Sequence, residues 1–568
     1  MFIIRALIEG LLVAVIFIAL LGILAGIVYK KLKAKSTPTK EVMTKAVRQV
    51  VIATEDLKED QASSLISREA EDSYYAFLAK LEDLGDDPQI ERVYLNVDRM
   101  DLSLAQIEEV RPLFEEMAKN KEVIAYGTDF NQKNYQMALL APKIYMLDTN
   151  NASLWLRGYA YYDLYLKDFL ANFGLKMHVL SIGDYKLAGE AYHHDNMSPA
   201  RRESLQVLGD ESLTYFMDLV KEKRGLDIEE PLLAGDLVLA DRQQALDLGL
   251  VDGCLAYKEL DIHDSEHTVS FDTYECLSDK EGHFGLKPLK KWTSRSTDQE
   301  ELALICLSGT IQSKPGQKTH ISYDNVKNKV DQIKKMDHVR GLVIRIDSPG
   351  GEALEAEKIY QLFKHLDLST YVSMGDYCAS GGYYIACAGE RLFANRNSLT
   401  GSIGVVAMVP EFTGTIEKLD LHLGSVSKGK GTDFLNPFEP LSDESKDRFV
   451  RSMEAVYAEF KDRVSVARKI AADDLEPLAG GRVYLGQQAV QNGLVDEIGS
   501  LNDCVEALAD QLGLEDPNLV YVQEKVDSRD LFKQVRGPLT LNSVEDLLKT
   551  HLLERNPIQF YEAVRRRD

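Results

Sequence analysis

The chain repeats itself, and the repeat limits what it can fold into. Val93-Tyr94-Leu95-Asn96-Val97-Asp98 and Leu342-Val343-Ile344-Arg345-Ile346-Asp347 are both β-rich apolar runs ending in Asp, 249 residues apart. Residues 127–146 line up with 375–394 at a separation of 248, and Tyr135-Gln136-Met137-Ala138 there matches Tyr383-Tyr384-Ile385-Ala386. Ala245 with Gly249-Leu250-Val251-Asp252 matches Ala489 with Gly493-Leu494-Val495-Asp496 at a separation of 244. A nearly constant offset over so long a window is duplication. In each copy short apolar strands alternate with amphipathic stretches of helical length, such as 107–119 and 355–366. That alternation predicts two α/β domains, each built on parallel strands.

The 568 residues have room for such a pair and for flanking segments. The expected division is an anchor over 1–35, a first domain over 36–264, a polar connector over 265–297, a second domain over 298–515 and an extension over 516–568. The anchor is expected because residues 10–29, GLLVAVIFIALLGILAGIVY, carry no charge. Twenty such residues cross roughly 30 Å of hydrocarbon as a helix. The run is also longer than the apolar core of a cleaved signal peptide, about 7–15 residues. Lys30, Lys31, Lys33 and Lys35 follow it and only Arg5 precedes it. By charge bias alone, the mass after the span would face the cytoplasm.

A net charge of −24 argues against a nucleic-acid partner, whose phosphates it would repel. None of the six Cys has Cys-x-x-Cys spacing, so they read as core thiols rather than metal ligands. No metal or cofactor is expected.

Chemistry gathers in the second copy. Strand-like residues lead into Cys378-Ala379-Ser380-Gly381-Gly382-Tyr383, which opens a helical stretch. Upstream stand Asp347-Ser348-Pro349-Gly350-Gly351, and downstream Leu399-Thr400-Gly401-Ser402-Ile403-Gly404. Ser380 reads as a nucleophile on a sharp turn, and the glycines as a loop offering N–H groups to an oxyanion. The first copy is an internal control. There Ser380, Gly381 and Gly382 face Gln132, Lys133 and Asn134, and Arg99-Met100-Asp101 replace Ser348-Pro349-Gly350. Were these turns only structural, both copies would keep them. Asp347, beside the glycine loop, would oppose an oxyanion if it pointed inward, so it is expected to point away or pair with Arg345 or another cation. For the proton acceptor two options stand: His422, within a triad, or a lysine whose pKa burial lowers.

These residues resemble the long, tandem-domain form of the signal peptide peptidase A (protease IV) family. The resemblance rests on Ser-Pro-Gly-Gly at 348–351, Ala-Ser-Gly-Gly-Tyr at 379–383 and Leu-Thr-Gly-Ser-Ile-Gly at 399–404. It rests further on Gly-Asp-Tyr-Lys at 183–186, followed by Met197-Ser198-Pro199-Ala200, and on Gly-Leu-Val-Asp ending both copies. It implies tandem crotonase-like (Clp-protease-like) domains and a Ser/Lys dyad, with Ser380 as nucleophile and Lys186, from the first half, as base. It implies Ser402 as the lysine's hydrogen-bond partner and Gly350 or Gly351, with the N–H of Gly381, as the oxyanion hole. Lys430, 244 residues beyond Lys186, is a rival base, because single-domain relatives draw the lysine from the serine-bearing copy. The resemblance further implies a bacterial inner-membrane protein with periplasmic domains, against the charge bias after the span. It implies a homo-oligomer, a tetramer in this family, acting on released signal peptides. Two other functions fit the same body: an idle crotonase-like membrane scaffold, and a crotonase-type enzyme acting on acyl-CoA.

Overall fold

The computed structural model describes residues 47–53, 74–260, 262, 267–274, 300–313, 320–432, 434–515 and 517–523. The expected anchor at 10–29 and most of the extension after 515 lie outside them. Among the described residues no helix is long and apolar enough to cross a membrane.

The described residues fall into two compact units, one holding 47–53, 78–164 and 197–274 and the other 74–77, 165–196 and 300–523. In the first, six strands run in the order Thr268–Ser270, Gln49–Ile52, Arg92–Asn96, Glu122–Gly127, Lys143–Leu147, Gly253–Leu255, all parallel. In the second, the order Asn518–Tyr521, Glu301–Ser308, Val339–Ser348, Ser369–Ala379, Arg391–Ala394, Glu497–Ile498 repeats that plan strand for strand. A small side layer also repeats. Asp129–Asn131, Ser153–Trp155 and Val238–Ala240 form it in the first unit. The end of Ser369–Ala379, with Leu399–Gly401 and Val483–Leu485, forms it in the second.

The central strands read as continuous apolar runs because both faces are covered. Residues 302–307 are buried, as are Leu342, Val343, Ile344 and Ile346. At about 1.5–3 kcal/mol for each fully buried aliphatic side chain, these strands anchor the second unit.

Hydrogen bonds repeat as well. Tyr135 donates its hydroxyl to the Leu250 carbonyl, and Tyr383 to that of Leu494. Arg224 grips the Asp252 carboxylate and the Gly249 carbonyl; Arg468 grips Asp496 and Gly493 in the same way. The terminal Gly-Leu-Val-Asp is therefore a fastening of the fold. It locks a helix end to a strand start, where Asp252 accepts from the Ile144 N–H and Asp496 from that of Leu392.

The expected boundaries shift in three places. Thr268–Ser270, expected in the connector, is an edge strand of the first sheet, and Asn518–Tyr521, expected in the extension, is an edge strand of the second. Strands of three or four residues carry too few side chains to show a period. Residues 165–196, expected in the first domain, pack with the second unit. Lys176–Ile182 pairs antiparallel with Val405–Glu411 along its whole length, and that ladder decides the segment's company.

Candidate active site

The strand Ser369–Ala379 ends in a turn at Ser380, and the helix Gly381–Ala386 follows at once. Ser380 has φ 54° and ψ −119°, a backbone state that costs a serine about 1–3 kcal/mol. The strain is held from both sides. The Ser380 N–H donates to the Gly401 carbonyl, and its own carbonyl accepts from Tyr384. The Thr400 hydroxyl donates to the Cys378 carbonyl and fixes the strand end below the turn.

The glycine loop crosses directly over this turn. A Cβ on Gly350, where φ is 103°, would lie 2.8 Å from the Ser380 Cβ and from the Gly381 nitrogen. Only a residue without a side chain permits that approach. The three expected oxyanion donors differ in availability. The Gly350 N–H already donates to Ser348 Oγ, which is fully buried. The Gly351 N–H has no hydrogen-bond partner among the described residues, because the bridge to Ile311 is made by the groups on either side of it: the Gly350 carbonyl accepts from the Ile311 N–H and the Glu352 N–H donates to the Ile311 carbonyl. The Gly381 N–H opens a helix, where no intrahelical acceptor exists. Gly351 and Gly381 are thus the open pair, and Gly350 shapes the loop.

Lys186 reaches this turn from the end of the ribbon formed by Lys176–Ile182 and Val405–Glu411. Its Nζ lies 3.0 Å from Ser380 Oγ, and it donates to Ser402 Oγ and to the Ser402 carbonyl, both at 2.9 Å. Lys186 is 8% exposed. Burial disfavours the ammonium and lowers its pKa from 10.5 to about 8. A neutral amine in this position has two N–H bonds for the two Ser402 acceptors and a lone pair facing Ser380. Ser402 is itself held at φ 54°.

The other candidates stand elsewhere. Lys430 and His422 are exposed on the segment 421–431, and among the described residues no hydrogen bond joins either to Ser380. Asp347 serves the neighbouring strand, where one of its carboxylate oxygens accepts from the Tyr377 N–H. Arg345 is buried and donates to Ser373 Oγ and the Met374 carbonyl. The blank copy explains the carboxylate, since Asp98 accepts in the same way from the Thr128 and Asp129 N–H groups. It caps a bend in the neighbouring strand in both copies. In the blank copy Lys133 and Asp101, at the positions of Gly381 and Gly350, are joined as an ion pair.

Sequence reasoning missed the turn Gly480-Gly481-Arg482. A Cβ on Gly481 would lie 2.4 Å from the Lys186 nitrogen, and one on Gly183 2.5 Å from the Gly480 carbonyl carbon. The Tyr185 N–H donates to the Gly480 carbonyl and the Ser402 N–H to that of Arg482. The adjacent glycines were the available signal.

The arrangement is that of an α/β protein with a buried lysine against a strained serine, below two open N–H groups. The profile of Peptidase family S49 matches residues 115–262 and 366–515, just over half of the sequence. The chain belongs to that family. It is 29% identical to Protease 4 of Haemophilus influenzae over 69% of its own length and 65% of that protein's. It is 28% identical to the chloroplastic Serine protease SPPA of Arabidopsis thaliana, over 75% of its length and 63% of the relative's. It thus spans somewhat under two thirds of these two relatives. Among solved structures, a point mutant of ClpP1 from Listeria monocytogenes aligns over 36% of this chain and 94% of its own, with 14% identity and a TM-score of 0.25.

Proposed function

We propose that this protein is a membrane-anchored serine endopeptidase with a Ser380/Lys186 dyad, acting on released signal peptides and other apolar peptides. The observation that carries the reading is the 3.0 Å approach of a buried Lys186 Nζ to Ser380 Oγ, with Ser402 taking the remaining donors. In this reading neutral Lys186 accepts the Ser380 proton as Oγ attacks a peptide carbonyl. The N–H groups of Gly351 and Gly381 hold the oxyanion. The ammonium then protonates the leaving amine, and the same lysine activates the water that hydrolyses the acyl-enzyme. The relatives' names, Protease 4 and Serine protease SPPA, support the reaction class.

Crotonase-like, Clp-protease-like domains, anchoring through residues 10–29, periplasmic domains and assembly into a tetramer complete the reading. They rest on the resemblance carried by the motifs. The test is covalent labelling of the full chain with a fluorophosphonate, mapped by mass spectrometry. The proposal expects label on Ser380 in the wild type and its loss in Lys186→Ala. An unlabelled Ser380 in folded, wild-type protein would overturn it in favour of an idle scaffold.

A further inference from the structure

We propose that Tyr457, acting through the turn at 480–482, is a positioning residue that sets where the Lys186 amine sits. The inference rests on the Ser380/Lys186 reading above. The turn grips both partners of the amine: it accepts from Tyr185 N–H on the lysine's side and from Ser402 N–H on the acceptor's side. Its own amides are committed as well, because Gly481 N–H donates to the Ile403 carbonyl and Gly480 N–H to the Tyr457 hydroxyl, 3.0 Å away. The Arg482 guanidinium lies 3.4 Å from the centre of the Tyr185 ring. With Cβ-level clearance absent at Gly183 and Gly481, a shift of the turn is passed directly to the Lys186 backbone.

Tyr457 braces the turn from the long helix Asp443–Arg468. It is 7% exposed, and its hydroxyl donates to Glu476 Oε1 while accepting from Gly480. Glu476 is paired in turn with Lys461, whose ammonium lies 4.4 Å from the Tyr457 ring centre. The duplication separates this role from mere packing. The helix Pro199–Arg224 of the first unit is 26 residues long, as is Asp443–Arg468, and ends in the same Arg fastening. In that register Phe216 matches Phe460 and Val220 matches Val464, all four buried. Tyr457, however, faces Leu213, and Lys461 faces Met217. The packing positions persist in the blank copy, and the hydroxyl and its ion pair do not.

Full-length wild type, Ser380→Ala, Tyr457→Phe and Tyr135→Phe are compared by pH profiles of kcat and KM on one fluorogenic apolar peptide. Tyr135 is the matched control, a buried hydroxyl bonded to a carbonyl in the first unit. The charged and titratable groups around the turn are Lys186, Asp184, Tyr185, Arg482, Tyr484, Glu476, Lys461 and Tyr457 itself; of these only Tyr457 is changed. A displaced amine loses geometry, so Tyr457→Phe is expected to lower kcat roughly tenfold to a hundredfold with KM little changed. Water reaching the amine favours the ammonium, so the acid limb moves to higher pH. Tyr135→Phe loses stability without moving the limb. An unmoved limb and unchanged kcat in Tyr457→Phe overturn the inference while loss of turnover in Ser380→Ala keeps the dyad. Wild-type turnover in Ser380→Ala overturns the dyad itself, and the inference with it. If Tyr457→Phe does not fold, Glu476→Gln, half exposed at the outer end of the same chain of bonds, must move the limb in the same direction.

Discussion

Replacing Lys186 by methionine should make the fold more stable at neutral pH, and the gain should vanish in alkali. Lys186 carries a pKa of about 8 in the folded chain against 10.5 for the free side chain, because burial disfavours its charge. The unfolded chain therefore binds more protons than the folded one between those values. By linkage the cost is full below about pH 8 and is lost as pH rises through 10.5. At about 1.4 kcal/mol per pKa unit, the full cost is about 3 kcal/mol, and about 2.5 kcal/mol of it disappears between pH 7 and pH 10. The methionine side chain would also leave two Ser402 acceptors without donors, a loss of about 1 kcal/mol each, which is independent of pH. The absolute gain at pH 7 is therefore about 1 kcal/mol, but the difference between the two pH values isolates the lysine. Urea unfolding of wild type and Lys186→Met at pH 7 and pH 10 measures it. The stability difference should shift by about 2.5 kcal/mol against the variant on going to pH 10. An equal difference at both pH values would refute a buried, pKa-lowered amine.

Three further outcomes follow from the same geometry. Ser402→Ala removes one acceptor from Lys186 and should lower kcat/KM roughly tenfold, the effect of one hydrogen bond, in steady-state hydrolysis of an apolar peptide. Gly481→Ala drives a Cβ to within 2.4 Å of the Lys186 nitrogen at a backbone φ of 86°, and should lower kcat by about a hundredfold in the same assay. Asp347→Ala and Asp98→Ala each remove hydrogen bonds to exposed N–H groups that water can then meet, and should cost about 0.5–1.5 kcal/mol in urea titrations. Turnover per folded molecule should be largely retained in both, because the carboxylate serves the bend in both copies.

The two copies made much of this legible in the sequence. Apolar strands covered on both faces announce themselves as runs; their recurrence near an offset of 248 predicted two copies, and their alternation with helical stretches the parallel sheets that both units contain. The elbow at Ser380 was legible because strand, glycines and helix are contiguous there. What escaped depends on segments far apart in the chain. Nothing local in Gly480-Gly481 says that residues 183–186 will lie against them, and nothing in the 176–182 run names Val405–Glu411 as its partner. The edge strands Thr268–Ser270 and Asn518–Tyr521 are too short to show alternation. The choice between Gly350 and Gly351 was not legible for a related reason: the Gly350 N–H donates to Ser348, two residues away, through a turn geometry that residue types do not fix.

In the proposed mechanism one serine and one lysine, 194 residues apart in sequence, form a single catalytic pair. Its most direct test is hydrolysis of a fluorogenic apolar peptide by full-length Ser380→Ala, Lys186→Ala and Lys430→Ala beside wild type, each verified as folded by circular dichroism. Ser380→Ala and Lys186→Ala should lose turnover by at least about a hundredfold while Lys430→Ala keeps it. Loss in Lys430→Ala with full turnover in Lys186→Ala would contradict that mechanism.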